Sequence, residues 1–75
     1  MENIKVAIIG LGYVGLPLAH LFATRYPVVG FDIKQDRVEA LKKGQDITME
    51  VSDGKLKSVL LSHLPEFDET GLYFT

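Results

Sequence analysis

VAIIGLGYVG, residues 6–15, carries a Gly-x-Gly-x-x-Gly pattern at Gly10, Gly12 and Gly15. Alone the pattern is a weak signal, because it is short and glycine is common. Its neighbours give it meaning. The apolar run Val6-Ala7-Ile8-Ile9 precedes it, a helix-period apolar segment opens at Val14, and an acid, Asp32, ends the next apolar run. Strand, glycine turn, helix, strand and acid in that order are the signature of a dinucleotide site.

The flanking residues extend the pattern in both directions. Residues 5–9 are too short and too uniformly apolar for a half-exposed strand, and read as a strand buried on both faces. From Val14, apolar residues recur at Leu18, Leu21 and Phe22, with Pro17 in the first turn, where a missing N–H costs little. Arg25 suits a helix C-terminus, and Tyr26-Pro27 stops the helix because the residue before proline disfavours the α region. Residues 28–32 form a second strand. Asp36 and Glu39 resemble a capping box for a helix running to about Lys43, with Val38 and Leu41 inward and Gly44 as its stop. A polar stretch, residues 45–54, holds Asp46, Thr48 and Glu50 at alternate positions. Ser52 or Asp53 can cap a third helix with the stripe Leu56, Val59, Leu60 and Leu64, ended by Pro65. After an acidic loop at 66–69, Leu72-Tyr73-Phe74-Thr75 begins a third strand.

The order β-α-β-α-α-β predicts an α/β fold: three strands forming the first half of a Rossmann doubly wound parallel sheet. In its strand order 3-2-1-4-5-6, residues 6–9 form an unpaired apolar edge, which native proteins avoid. The expectation is that residues 1–75 are the N-terminal portion of an NAD-binding Rossmann domain from a longer protein. That edge would then be covered by another chain or by residues outside this one.

Composition removes several function classes. A chain of 75 residues is one small domain at most and buries only about 60% of its unfolded surface. It has no cysteine, which excludes disulfides, thiolate metal sites and a cysteine nucleophile within it. Eight basic and ten acidic residues, net charge −2, are spread along the chain, so no basic face for nucleic acid is expected. Residues 6–23 are uncharged and approach the length of a spanning helix. Three glycines, Pro17 and His20 interrupt that run, and Glu2 precedes Lys5 where a signal needs a basic region. Strand–turn–helix is the better reading, with no membrane segment.

Each residue of the pattern has a chemical reason. Gly10 lets the chain turn out of the strand, Gly12 has no side chain to block a pyrophosphate, and Gly15 allows the helix to pack closely on the strand. The N–H groups of Tyr13 and Val14 lie at the helix N-terminus, where free donors attract phosphate. Asp32 stands 17 positions after Gly15, near the usual separation of about 20. Its carboxylate can accept from both adenosine ribose hydroxyls and would repel a 2′-phosphate, favouring NAD over NADP. Lys34 or Arg37 could offset that repulsion. Arg37 could also lie over the adenine or touch its ribose, or be a surface arginine. His20 and His63 have no metal-ligand spacing, and no metal or catalytic residue is expected. Asp46, Thr48 and Glu50 could face a substrate or a subunit partner, or simply form a loop.

The run KVAIIGLGYVGLPLA, residues 5–19, resembles the amino terminus of the UDP-glucose/GDP-mannose dehydrogenase family, Gly-Tyr-Val-Gly-Leu-Pro being sharper than the bare glycine pattern. VVGFDI at 28–33, Arg37-Val38 with Leu41, and GQDITME at 44–50 agree with it. The last of these resembles the branch acting on UDP-N-acetylhexosamines; the UDP-glucose branch more often carries a Pro-Gly segment there. The resemblance implies an NAD-dependent, two-step oxidation of the C6 hydroxyl of a UDP-sugar to a carboxylate with two NAD. It also implies a catalytic cysteine beyond this region, so the piece alone is expected to be inactive. Gly10, Gly12, Gly15, Val14, Asp32 and Arg37 occupy the family's cofactor positions. The parent is expected to be a cytoplasmic homo-oligomer supplying uronic acids for surface polysaccharide. Two rivals stand beside it: a stand-alone nucleotide-binding module, and an FAD or NADP oxidoreductase with the same βαβ unit.

Overall fold

The three apolar runs become strands: β1 (Val6–Ile9), β2 (Pro27–Phe31) and β3 (Gly71–Phe74). They were traced in a computed structural model that describes residues 4–47 and 49–75. All pair in parallel in the order β1-β2-β3, so β2 is central and β1 is an edge, as the sequence predicted. Proline at the first position of β2 costs little, since that residue can go without a ladder bond. Parallel neighbours cannot be joined by a hairpin. Helix α1 (Gly15–Ala23) therefore links β1 to β2, and α2 (Gln35–Lys42) with α3 (Asp53–Val59) links β2 to β3. Residues 6–23 are thus strand, turn and helix, and among the described residues no helix is long and apolar enough to cross a membrane.

Register decides which side chains share a face. Val6, Val28 and Leu72 lie side by side, as do Ile8, Gly30 and Phe74. That face packs with Leu11, Leu16, Ala19 and Ala23 and with Val38, Leu41 and Leu56 in one core. The intervening residues point the other way. Ala7, Ile9 and Phe31 are exposed there, Ile9 at 76%. The expectation that β1 is buried on both faces is therefore corrected: its burial alternates along the strand, as in a sheet covered on one side.

Three further expectations change. The inner face of α1 is Leu16, Ala19 and Ala23, whereas Leu18 and Leu21 are exposed. The close approach of Gly15 to the Gly10 backbone turns that side of the helix inward, and Ala19 and Ala23 continue it at four-residue spacing beside Leu16. Helix α2 has no capping box, because Lys34 is its N-cap and Asp36 accepts instead from the neighbouring Arg37 N–H. Helix α3 ends at Val59, not Leu64, because Leu60 turns extended and bridges to Leu72 of β3. Two predicted signals hold. Ser52 caps α3, accepting from the Lys55 N–H. Gly44 (φ +80°) closes α2, its N–H donating to Leu41 and that of Gln45 to Ala40, the paired bonds of a Schellman ending.

Candidate functional site

The glycine turn leaves β1 at its C-terminal end, beside the end of β2. Gly10 adopts φ +94°, which lets the chain reverse while its N–H still donates to Phe31 at 2.8 Å. The side chain of Leu11 is buried, and a Cβ on Gly30 would come within 2.9 Å of it, so the turn is anchored from beneath by β2's lack of a side chain. Gly12, Tyr13 and Val14, all exposed, then run into α1. Among the described residues their N–H groups have no protein acceptor. Those amides, at the positive end of a helix, are suited to an anion.

Asp32 stands immediately after β2 and is bonded to the turn. Its Oδ2 accepts from the Leu11 N–H at 2.9 Å and its Oδ1 from the Lys34 N–H at 3.0 Å. A carboxylate has about four acceptor positions, so each oxygen keeps one for a hydroxyl. The Leu11 and then the Lys34 N–H hold the Asp32 carboxyl below its ordinary value of 3.8, with smaller help from the charges of Lys34 and Arg37 and against some desolvation. A native pKa below the unfolded one means that the carboxylate's bonds stabilise the fold fully above the unfolded value of about 4. That contribution is lost as pH falls through the lower native value. Asp32→Asn is accordingly expected to flatten the fall in melting temperature between about pH 5 and pH 2; an unchanged acid limb would mean that these bonds contribute nothing.

A cleft of about 230 Å³ lies beside the acid, lined by Ile9, Gly10, Phe31, Asp32 and Ile33. Apolar walls with a carboxylate at one end suit a flat base joined to a diol. Lys34 is exposed at the N-cap of α2. Arg37 is not a solvated surface arginine, its side chain being only 11% exposed. Its Nε donates to the Leu11 carbonyl at 3.0 Å, Nη2 donates to the same oxygen, and Nη1 donates to Asp46 Oδ1 at 2.8 Å. Sequence reasoning missed Leu11, and it read Asp46 as facing a substrate or partner, or as loop, rather than as the buried partner of Arg37. Asp46 is buried, and its other oxygen accepts from the Glu50 and Val51 amides at 2.8 and 2.9 Å. No local spacing connects it to Arg37. Thr48 lies outside the described residues. His63 is away from the turn and beyond α3, paired with Glu69 at 2.6 Å, and no cluster of metal-binding groups occurs among the described residues.

Comparison with known proteins gives the chain its relatives. Residues 4–70 match the model of the UDP-glucose/GDP-mannose dehydrogenase family, NAD binding domain. The chain is 54% identical over 57 residues to a UDP-N-acetyl-D-glucosamine 6-dehydrogenase of Pseudomonas aeruginosa, an alignment covering 76% of this chain and 14% of that protein. It is 46% identical over 68 residues to a UDP-N-acetyl-D-mannosamine dehydrogenase of Campylobacter jejuni, covering 76% and 17%. The solved UDP-D-ManNAc dehydrogenase of Pyrococcus horikoshii superposes with a TM-score of 0.73 at 35% identity, over 96% of this chain and 16% of its own. The chain thus spans less than a fifth of the relatives it matches.

Proposed function

We propose that this chain, which belongs to the UDP-glucose/GDP-mannose dehydrogenase family, is the NAD-holding portion of an enzyme that oxidises the C6 hydroxyl of a UDP-N-acetylhexosamine to the uronic acid. The observation that carries the reading is the joined site: unpartnered amides at Gly12, Tyr13 and Val14, with the Asp32 carboxylate tied to the same turn. The residues present fit NAD. Gly12 has nothing within 4 Å of where a Cβ would stand, leaving a cradle against the amides. Gly10, Gly12, Tyr13, Val14 and Gly15 would hold the pyrophosphate, and Asp32 the adenosine ribose, with Lys34 beside it at the N-cap of α2 and Arg37 holding the turn through the Leu11 carbonyl. When bound, NAD supplies a hydride acceptor, used twice for each alcohol carried to a carboxylate.

This chain's own part is binding and orientation. With no cysteine among its 75 residues, a thiolate nucleophile would come from outside them. The names of the relatives, glucosamine and mannosamine dehydrogenases, support an N-acetylhexosamine over glucose as the sugar. A cytoplasmic homo-oligomer feeding surface polysaccharide is the setting we assign to it. The test is titration of the intact protein with NAD and NADP, followed by assay with UDP-N-acetylglucosamine, UDP-N-acetylmannosamine and UDP-glucose. NAD is expected to bind more tightly than NADP. Asp32→Ala should weaken NAD about tenfold or more, by loss of two charge-assisted bonds, and narrow that preference. Unchanged NAD affinity would refute the role of Asp32. Binding without turnover of any UDP-sugar would favour a stand-alone nucleotide-binding module.

A further inference from the structure

One guanidinium ties the glycine turn to the segment that follows α2. Arg37 gives two donors to the Leu11 carbonyl and one to Asp46, while Asp46 is held by the amides of Glu50 and Val51. The side chain of Asp46 is wholly buried and that of Arg37 is 11% exposed, so this is an interior ion pair. At the other side of the same residue, the Leu11 N–H is held by Asp32.

The geometry points to Arg37 and Asp46 as a positioning pair for the phosphate-binding turn, acting on the cofactor through Leu11; this rests on the reading that the turn holds NAD. The peptide between Leu11 and Gly12 is planar and trans, so its C=O and N–H point in opposite directions. Fixing the Leu11 carbonyl on Arg37 therefore fixes the Gly12 N–H in the opposite direction, away from Arg37. A rotated peptide would present a carbonyl oxygen to a pyrophosphate, and the two would repel. Asp46 sets the direction of the guanidinium fork. A lysine cannot take its place, since one ammonium on a flexible stem lacks the planar fork that meets Leu11 and Asp46 together.

The experiment compares ligands with and without a pyrophosphate on the intact protein. NAD, ADP and adenosine are titrated against wild type, Asp46→Asn and Arg37→Lys, with a thermal melt of each. Both variants are expected to bind NAD and ADP about tenfold to a hundredfold more weakly, the worth of a charge-assisted bond. Adenosine should change by less than about twofold, because it does not use the turn. A merely structural role would weaken all three ligands together or none. Parallel loss of adenosine would overturn the proposal in favour of direct contact between Arg37 and the nucleoside. Unchanged NAD affinity in a folded Asp46→Asn protein would overturn it outright, as would failure of both variants to fold, which assigns the pair to the fold alone. A wild-type protein that binds neither NAD nor ADP would instead overturn the reading of the turn itself.

Discussion

Gly15→Ala is expected to cost the protein about 3 kcal/mol or more, a large fraction of the roughly 5–15 kcal/mol by which a fold is ordinarily stable. A Cβ at position 15 would lie 1.8 Å from the carbonyl oxygen of Gly10 and 3.0 Å from its carbon. Both atoms are backbone, so no rotamer change relieves the overlap. Either α1 lifts from the turn, exposing Leu16, Ala19 and Ala23, or Gly10 leaves the φ +94° conformation that keeps its bond to Phe31. The contrast with Gly30 shows why backbone matters. There a Cβ meets the Leu11 and Phe74 side chains, which can shift. Thermal or urea melts of the intact Gly15→Ala protein check the expectation. A midpoint within a few degrees of wild type would show that α1 does not depend on this approach.

The same glycine explains what could be read from sequence and what could not. Where one residue acts locally, the reading succeeded: Gly44 stops α2, Ser52 caps α3, and the alternation of apolar runs and helices gives the parallel order. Where a distant partner decides, it failed. Leu60 and Leu64 continue a helical stripe on paper, but β3, arriving from later in the chain, draws Leu60 into a bridge with Leu72. Leu18, Leu21 and Phe22 recur at helical spacing from Val14, yet only Phe22 of the three packs against the core. The close approach of Gly15 to the Gly10 backbone turns the side holding Leu16, Ala19 and Ala23 inward instead. Arg37 and Asp46 had no shared pattern, since their meeting depends on how α2 ends and the chain turns back. Asp32 was legible because a strand end followed by an acid is local; its bond to Leu11 was not.

Gly12→Ala is expected to do the reverse of Gly15→Ala: leave the fold intact and remove the cofactor. Among the described residues nothing stands within 4 Å of a Cβ at position 12, and its φ lies outside the left-handed region. Alanine is therefore tolerated, and by restricting the unfolded chain it should add about 0.4–1 kcal/mol of stability. The protein alone gives no reason for glycine there. The reason must come from whatever approaches the amides, and a phosphate drawn to the N–H groups of Gly12, Tyr13 and Val14 would meet the new methyl group. Displacement by about an ångström from oriented donors can lower a rate or affinity about a hundredfold, and that is the loss expected for NAD. Calorimetric titration paired with a melt of the same sample measures both sides. A Gly12→Ala protein that melts like wild type but has lost NAD separates ligand clearance from folding within one three-glycine pattern. If it binds NAD as tightly as wild type, the pyrophosphate does not pass over Gly12, and the turn's open side faces something else.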